Sequence, residues 1–288
     1  MMITYPLFLR GESRDYIWGG HRLGERFGKM GGRIAESWEL CGESVVENGI
    51  YAGQKLREVL GADFPLLVKF MDAREKLSVQ VHPSDENAIA PERGKEELWY
   101  IVEAEPGSTL GCGLKKDVTA QELREAALSG QIEELLHQLP VAAGESIYIA
   151  PGTVHALGAG ILAAEFQQAS DTTFRLYDYG RGRELHLERG CAVADCRAAR
   201  PEKLLPRGSG DVKEILRTPH FRLRELCSRE DIALSADRWQ HLLLLEAGGV
   251  LVHAGEKYPL YPGASVFLPE GLGEYRIEGA CRALIMDN

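Results

Sequence analysis

Four side chains in this sequence have the chemistry to hold a metal ion between them. Gln80 and His82 stand two residues apart in Leu77-Ser78-Val79-Gln80-Val81-His82-Pro83. Glu97 follows on a later segment, and His155 comes after a further turn. Imidazole nitrogens and carboxylate oxygens are ligands of zinc and related divalent ions, and an oxygen co-ligand completes such a set. Taken alone, a histidine in a β protein is more often a hydrogen-bonded structural residue. Two histidines with an inward glutamate, all at strand ends, carry the metal reading further. Lys95 lies two positions before Glu97, and Arg175 lies on a segment beyond His155. Either could be a solvated surface charge. Beside a metal, the pair suits a polyol or sugar that bears negative charge. His21, His137, His186, His220, His241 and His253 have no paired acceptor at useful spacing and read as structural.

These residues need elements to position them. Apolar residues at 77, 79 and 81 alternate with polar ones at 78, 80 and 82, the period of a β-strand. Leu77, Val79 and Val81 are expected to pack against protein, leaving Ser78, Gln80 and His82 together on the other face. Phe64 to Met71 carries one charge, Lys69, and reads as a buried strand. Glu96 to Val102 reads as a second strand, with Glu97, Trp99 and Ile101 on one face. Strands are also expected near 146–149, 161–168 and 172–179. Gln54 to Leu60 reads as a helix ended by Gly61. Ser84 reads as the N-cap of a helix running to about Ala90, and Glu184 to about Ala194 as another helix. Thr119 and Glu122 form a capping box that opens a helical insertion at about 119–138.

The stretch Cys196 to Gly210 is rich in Pro, Gly and Arg and divides the chain. The expected units are 1–205, carrying the candidate site, and 206–288, a smaller β domain. Pro262 to Pro269 echoes Ala143 to Ala150, and in that register Glu274 takes the place of His155. Two related β-barrels, with the histidine in the first, are the natural reading.

The chain has 288 residues and a formal net charge of −10. That balance argues against nucleic acid or an anionic membrane as the main partner. No run approaches the roughly 18 apolar residues needed to span a bilayer, and the N-terminal residues do not resemble a secretory signal. Six cysteines without a Cys-x-x-Cys pair read as free thiols in a reducing cytoplasm, so any metal is bound by nitrogen and oxygen.

The segments FPLLVKFMDAREKLSVQVHP (64–83), GKEELWY (94–100), PGTVHAL (151–157) and QQASDTTFRLYDY (167–179) resemble the type I mannose-6-phosphate isomerases. The short bacterial branch is the better match and includes Trp18-Gly19-Gly20. The ordered motifs span about residues 5 to 190. The resemblance implies a mainly β fold of two cupin-type jelly-roll β-barrels, the second degenerate. It implies one Zn2+ per chain held by Gln80, His82, Glu97 and His155, with a water or substrate oxygen the alternative to Gln80. Arg175 would be the active-site arginine, and Lys95, Ser78 and Lys69 would lie at the substrate. The implied reaction interconverts mannose 6-phosphate and fructose 6-phosphate through a cis-enediol, with zinc-bound water, a histidine or a lysine as the base. The partner would be a small sugar phosphate, and the protein a cytoplasmic monomer or homodimer. A metal-dependent cupin oxygenase and a catalytically silent sugar-phosphate-binding cupin are the rival readings. One departure stands out: Glu96 replaces the threonine usual in the family. An extra acid beside Lys95 bears on the local substrate contacts.

Overall fold

The computed structural model describes residues 3–288. It is mainly β, built as four sheets stacked face to face. The first unit contributes a seven-stranded antiparallel sheet. Its order is Lys203–Leu204, Ser146–Ile149, Glu97–Ala104, Ile161–Gln168, Leu66–Ala73, Glu36–Leu40 and Glu12–Arg14. A five-stranded sheet faces it, in the order Phe174–Tyr177, Val79–Val81, His155–Ala156, Thr109–Leu114 and Leu136–Pro140. The second unit repeats the plan with a seven-stranded sheet, two of whose strands, Leu7–Arg10 and Val45–Val46, come from the start of the chain. A four-stranded sheet of Ile232–Ala236, Gly273–Glu278, Val250–His253 and Glu256–Pro259 covers that one.

The stacking explains the apolar runs. Val68, Phe70, Leu98 and Tyr100 pack on Leu243, Phe267 and Leu284 of the second unit. Met71, Trp99, Ile101 and Ala163, on the opposite face of the same sheet, pack inward on Leu110 and Cys112. With both faces covered, every residue of Leu66–Ala73 is buried, Lys69 and Asp72 included. A strand enclosed on both faces loses polar alternation and reads as a continuous apolar run.

The five-stranded sheet is covered on its outer face by helices. Val79 and Val81 pack there with Leu123, Ala127 and Ile132. The Ala120–Ser129 helix has the capping box: Thr119 accepts a hydrogen bond from the Glu122 N–H, and Gly130 ends the helix at φ 76°. A second helix, Ile132–Leu135, follows. The insertion is shorter than expected, because Leu136–Pro140 is a strand of the sheet rather than helix.

Three further expectations are corrected. Leu77 lies before the Val79–Val81 strand and packs inward with Trp18 and Trp99 rather than with the helices. Ser84 does make the cap contact, its hydroxyl accepting from the Asn87 N–H at 3.3 Å, but the segment closes a single turn and goes no further. Pro91 disfavours helical backbone at Ala90, and the Asp85 carboxylate is occupied by the Gly94 N–H at 3.1 Å. Finally, the Leu7–Arg10 strand is not in the first unit's sheet. It pairs with Ser265–Leu268 of the second, with Phe8 opposite Val266.

The internal repeat is visible in the sheet order. Ser146–Ile149, Glu97–Ala104, Ile161–Gln168 and Leu66–Ala73 are neighbours in that sequence. Ser265–Leu268, Gln240–Ala247, Cys281–Asp287 and Arg222–Ser228 follow the same sequence in the second unit. Glu97 pairs with Ile149, and Gln240 pairs with Leu268. His155 pairs with Gln80, and Glu274 pairs with Ser235.

Candidate metal centre and active site

The site lies between the two sheets of the first unit. Across the five-stranded sheet, Arg175 pairs with Gln80, Gln80 with His155, and His155 with Cys112. Directly paired residues project to the same face of a sheet, so one row carries guanidinium, amide and imidazole side by side. His82 is two residues along from Gln80 and projects to that face again. Glu97 reaches in from the opposite sheet. The candidate ligand atoms of His82, Glu97 and His155 lie within 4.8 Å of one another, and all three residues are buried.

Hydrogen bonding fixes how the histidines present themselves. His82 Nδ1 is 2.9 Å from the Thr172 carbonyl oxygen, and His155 Nδ1 is 2.9 Å from that of Thr153. A carbonyl only accepts, so each Nδ1 carries a proton and each Nε2 is the nitrogen turned toward the site. His155 Nε2 lies 3.0 Å from Glu97 Oε1, and His82 Nε2 lies 3.5 Å from Glu97 Oε2. The Gln80 amide is 3.2 Å from His155 Nε2. His82 Nε2 and Glu97 Oε1 are buried without a hydrogen-bond partner. Nitrogen and carboxylate donors converging in a buried site fit a cation placed among them, and backbone carbonyls behind ligating imidazoles are the usual support of such a centre. These residues suit a bound metal.

The electrostatics agree with that arrangement. Burial, with the nearby Lys95 charge, lowers the His82 pKa to about 3, so the ring is neutral and free to ligate. Burial pushes the Glu97 carboxyl up, but Lys95 and the facing histidines outweigh it and hold the group well below its ordinary range. Lys95 Nζ is 2.9 Å from Glu97 Oε2.

A cavity of about 260 Å³ opens beside this centre. Ser78, Gln80, Lys95, Lys69 and Arg175 all line it. Arg175 donates from Nη1 to the Glu184 carbonyl at 2.8 Å, and among the described residues no carboxylate lies within 4.0 Å of its guanidinium. Lys69 is buried in an ion pair with Glu165 at 2.8 Å, with Glu36 at 3.8 Å. Burial lowers its pKa, yet those carboxylates raise it above the ordinary lysine value. Glu96 faces away from the cavity, accepting hydrogen bonds from Tyr148 at 2.9 Å and Thr218 at 2.5 Å. The acid that departs from the family pattern therefore bears on the junction between units and does not line the cavity.

Among the residues of the cavity wall that sequence reasoning passed over are Glu165, Trp38, Arg14 and Arg183. Glu165 had a signal, a lone charge inside the apolar strand Ile161–Gln168. It accepts a hydrogen bond from Trp99 Nε1 at 3.1 Å, and burial raises its pKa. In the second unit the corresponding place is closed. Tyr275 donates to Gln240 Oε1 at 2.9 Å, and Gln240 donates to the Ser235 carbonyl at 2.9 Å.

Stacked jelly-roll sheets with a buried histidine–glutamate centre in one unit define a cupin-type metal-site protein. Comparison with known proteins specifies it further. The model of the phosphomannose isomerase type I catalytic domain matches residues 41–107, and that of the mannose-6-phosphate isomerase cupin domain matches 229–288. The chain is 35% identical to mannose-6-phosphate isomerase ManA of Bacillus subtilis, over 99% of both chains. It is 34% identical to a mannose-6-phosphate isomerase of Streptococcus mutans over 95% of both. The crystal structure of a Bacillus subtilis mannose 6-phosphate isomerase superposes with a TM-score of 0.90 at 29% identity, covering 98% of this chain and 99% of that one. A zinc-bound mannose 6-phosphate isomerase shares the fold, with a TM-score of 0.79 at 16% identity over 98% and 99% of the two chains. The chain belongs to the type I mannose-6-phosphate isomerase family.

Proposed function

We propose that the protein interconverts mannose 6-phosphate and fructose 6-phosphate, moving a proton between C1 and C2 through a cis-enediol, with one zinc ion per chain. The observation that carries the reading is the cluster of donor atoms of His82, His155 and Glu97 beside a cavity lined by Gln80, Lys95 and Arg175. Nitrogen and carboxylate donors in this number suit zinc, and zinc bound there would act as a Lewis acid toward sugar oxygens.

The chain's own groups divide the remaining work. Arg175, one strand over from Gln80, would stabilise the negative charge that develops on the sugar oxygens. Lys95 holds Glu97 in place and presents its ammonium to a substrate oxygen. Glu165 is a carboxylate on the cavity wall whose raised pKa suits accepting a proton from C1 or C2. Ser78 offers a hydroxyl near the cavity's edge. We assign this machinery to the 1–205 unit and a supporting role to 206–288.

A coupled assay on mannose 6-phosphate, run with and without a chelator and alongside elemental analysis, tests the reading. Turnover lost on chelation and restored by zinc is expected. A protein that holds zinc and sugar phosphate yet never interconverts the two sugars would overturn it.

A further inference from the structure

The cavity has two ends of different chemistry. On the side of the candidate metal centre it is lined by Gln80 and by Lys95, the partner of Glu97, and two arginines outside that set line it as well. Arg14 comes from Glu12–Arg14, the last strand of the seven-stranded sheet. Arg183 comes from the loop after Phe174–Tyr177, the edge strand of the facing sheet. The two side chains thus approach one cavity from the free edges of opposing sheets.

Each arginine is held. The Arg14 guanidinium lies 3.7 Å over the Trp38 ring centroid, a stacked cation–π geometry. Its Nε is buried with no hydrogen-bond partner; among the described residues the one carboxylate within 4.0 Å is the exposed Glu12 at 3.3 Å, and Asp171 lines the same cavity further off. Arg183 is fixed by the buried Asp178 carboxylate, donating from Nε at 2.8 Å and from Nη2 at 2.5 Å. Next to Asp178, Tyr179 sits at φ 54°, a left-handed conformation unusual for a tyrosine. The loop therefore takes a costly shape that keeps Arg183 at the cavity. Oriented guanidinium groups are suited to a phosphoryl group, which they bind with paired N–H donors.

We propose that Arg14 and Arg183 bind the phosphate of the substrate while its other end lies at the metal centre. The inference rests on the sugar-phosphate reading given above and adds which residues recognise the phosphate. On this view Trp38 and Asp178 are positioning residues for the two arginines.

Steady-state kinetics of Arg14→Gln tests it. The expected result is a KM for mannose 6-phosphate raised at least tenfold, with kcat within threefold of the parent. The inhibition constant of inorganic phosphate should weaken by a similar factor, and Arg14→Lys, which keeps the charge without the stacked planar group, should recover only part of either. Unchanged KM and unchanged phosphate inhibition would overturn the proposal, as would a fall in kcat alone. If the variant fails to fold, the unmodified protein still decides the matter. Inorganic phosphate should protect Arg14 and Arg183 from phenylglyoxal in peptide mapping, and equal labelling with and without phosphate would refute the assignment. Arg14-dependent phosphate binding without any isomerisation would defeat the proposed reaction and leave this inference standing. Isomerisation whose KM ignores Arg14 would do the reverse.

Discussion

Glu96 and His220 meet across the junction of the two units, with 3.0 Å between the carboxylate Oε1 and the imidazole Nδ1. The neighbour in sequence, Glu97, points the other way into the metal centre. One dipeptide thus serves two sites, and Glu96 gathers Tyr148 and Thr218 as well. Replacing Glu96 by Ala removes the acceptor of the Tyr148 hydroxyl and leaves Thr218 only its longer contact with the Phe221 carbonyl, at a cost of about 1–3 kcal/mol. Denaturant unfolding should show that loss while metal content stays at one ion per chain. Loss of metal without loss of stability would contradict this division of labour.

Arg175→Ala should lower kcat by roughly two to three orders of magnitude, the scale of removing a donor to a developing oxyanion. Bound metal should be unchanged, because the guanidinium is beside the candidate ligands and not among them. Near-normal turnover would remove Arg175 from the mechanism. Glu165→Gln should also depress kcat more than it alters KM, and a pure KM effect would take the proton-transfer role from Glu165.

Glu97→Ala deletes a candidate ligand and leaves Lys95 without its closest carboxylate. Zinc measured by emission spectroscopy after dialysis should fall at least tenfold. Chelator should lower the Tm of the parent protein and leave the variant's unmoved. A ligand present at a hundred times its Kd contributes about 2.7 kcal/mol to stability, so the parent's shift is readily measured. Full zinc retention in the variant would exclude Glu97 from the ligand set.

His241 supplies a pH dependence away from the metal. It is fully buried between the units, with Nε2 2.8 Å from Ser265 Oγ, and burial lowers its pKa from 6.5 to about 3. Between those values the unfolded chain binds a proton that the folded chain refuses. The fold therefore has the full benefit of neutral His241 above pH 6.5 and loses it as pH falls toward 3, by up to about 1.4 kcal/mol per unit. His241→Gln should flatten the stability profile in that window. An unchanged acid slope would show that other groups set it.

The candidate metal centre was legible because its signals are local. Alternation at 77–82 puts Gln80 and His82 on one face, and a glutamate beginning a strongly β segment is conspicuous. The capping box at Thr119 and Glu122 is equally short-range and appears as read. Residues set by long-range packing were harder. Arg14 sits on a three-residue edge strand with no periodicity to notice. Glu165 is a lone charge in an apolar run, and its partner Lys69 lies on the neighbouring strand, far off in sequence. Leu77 was misplaced because alternation does not report where a strand begins.

The strand Leu7–Arg10 has a consequence for how the chain folds. It finds its partner, Ser265–Leu268, almost a full chain length away, so two segments at opposite ends of the sequence must meet before either sheet edge is closed. Loop closure over such a distance carries a large entropic cost ahead of any reward. Synthesis from the N-terminus supplies every strand of the unit holding the candidate metal centre by residue 204, yet Leu7–Arg10 stays without this partner until the other unit is made. An early strand with apolar Leu7, Phe8 and Leu9 must wait for the last part of the chain, and during that wait it is the segment most open to pairing with the wrong neighbour.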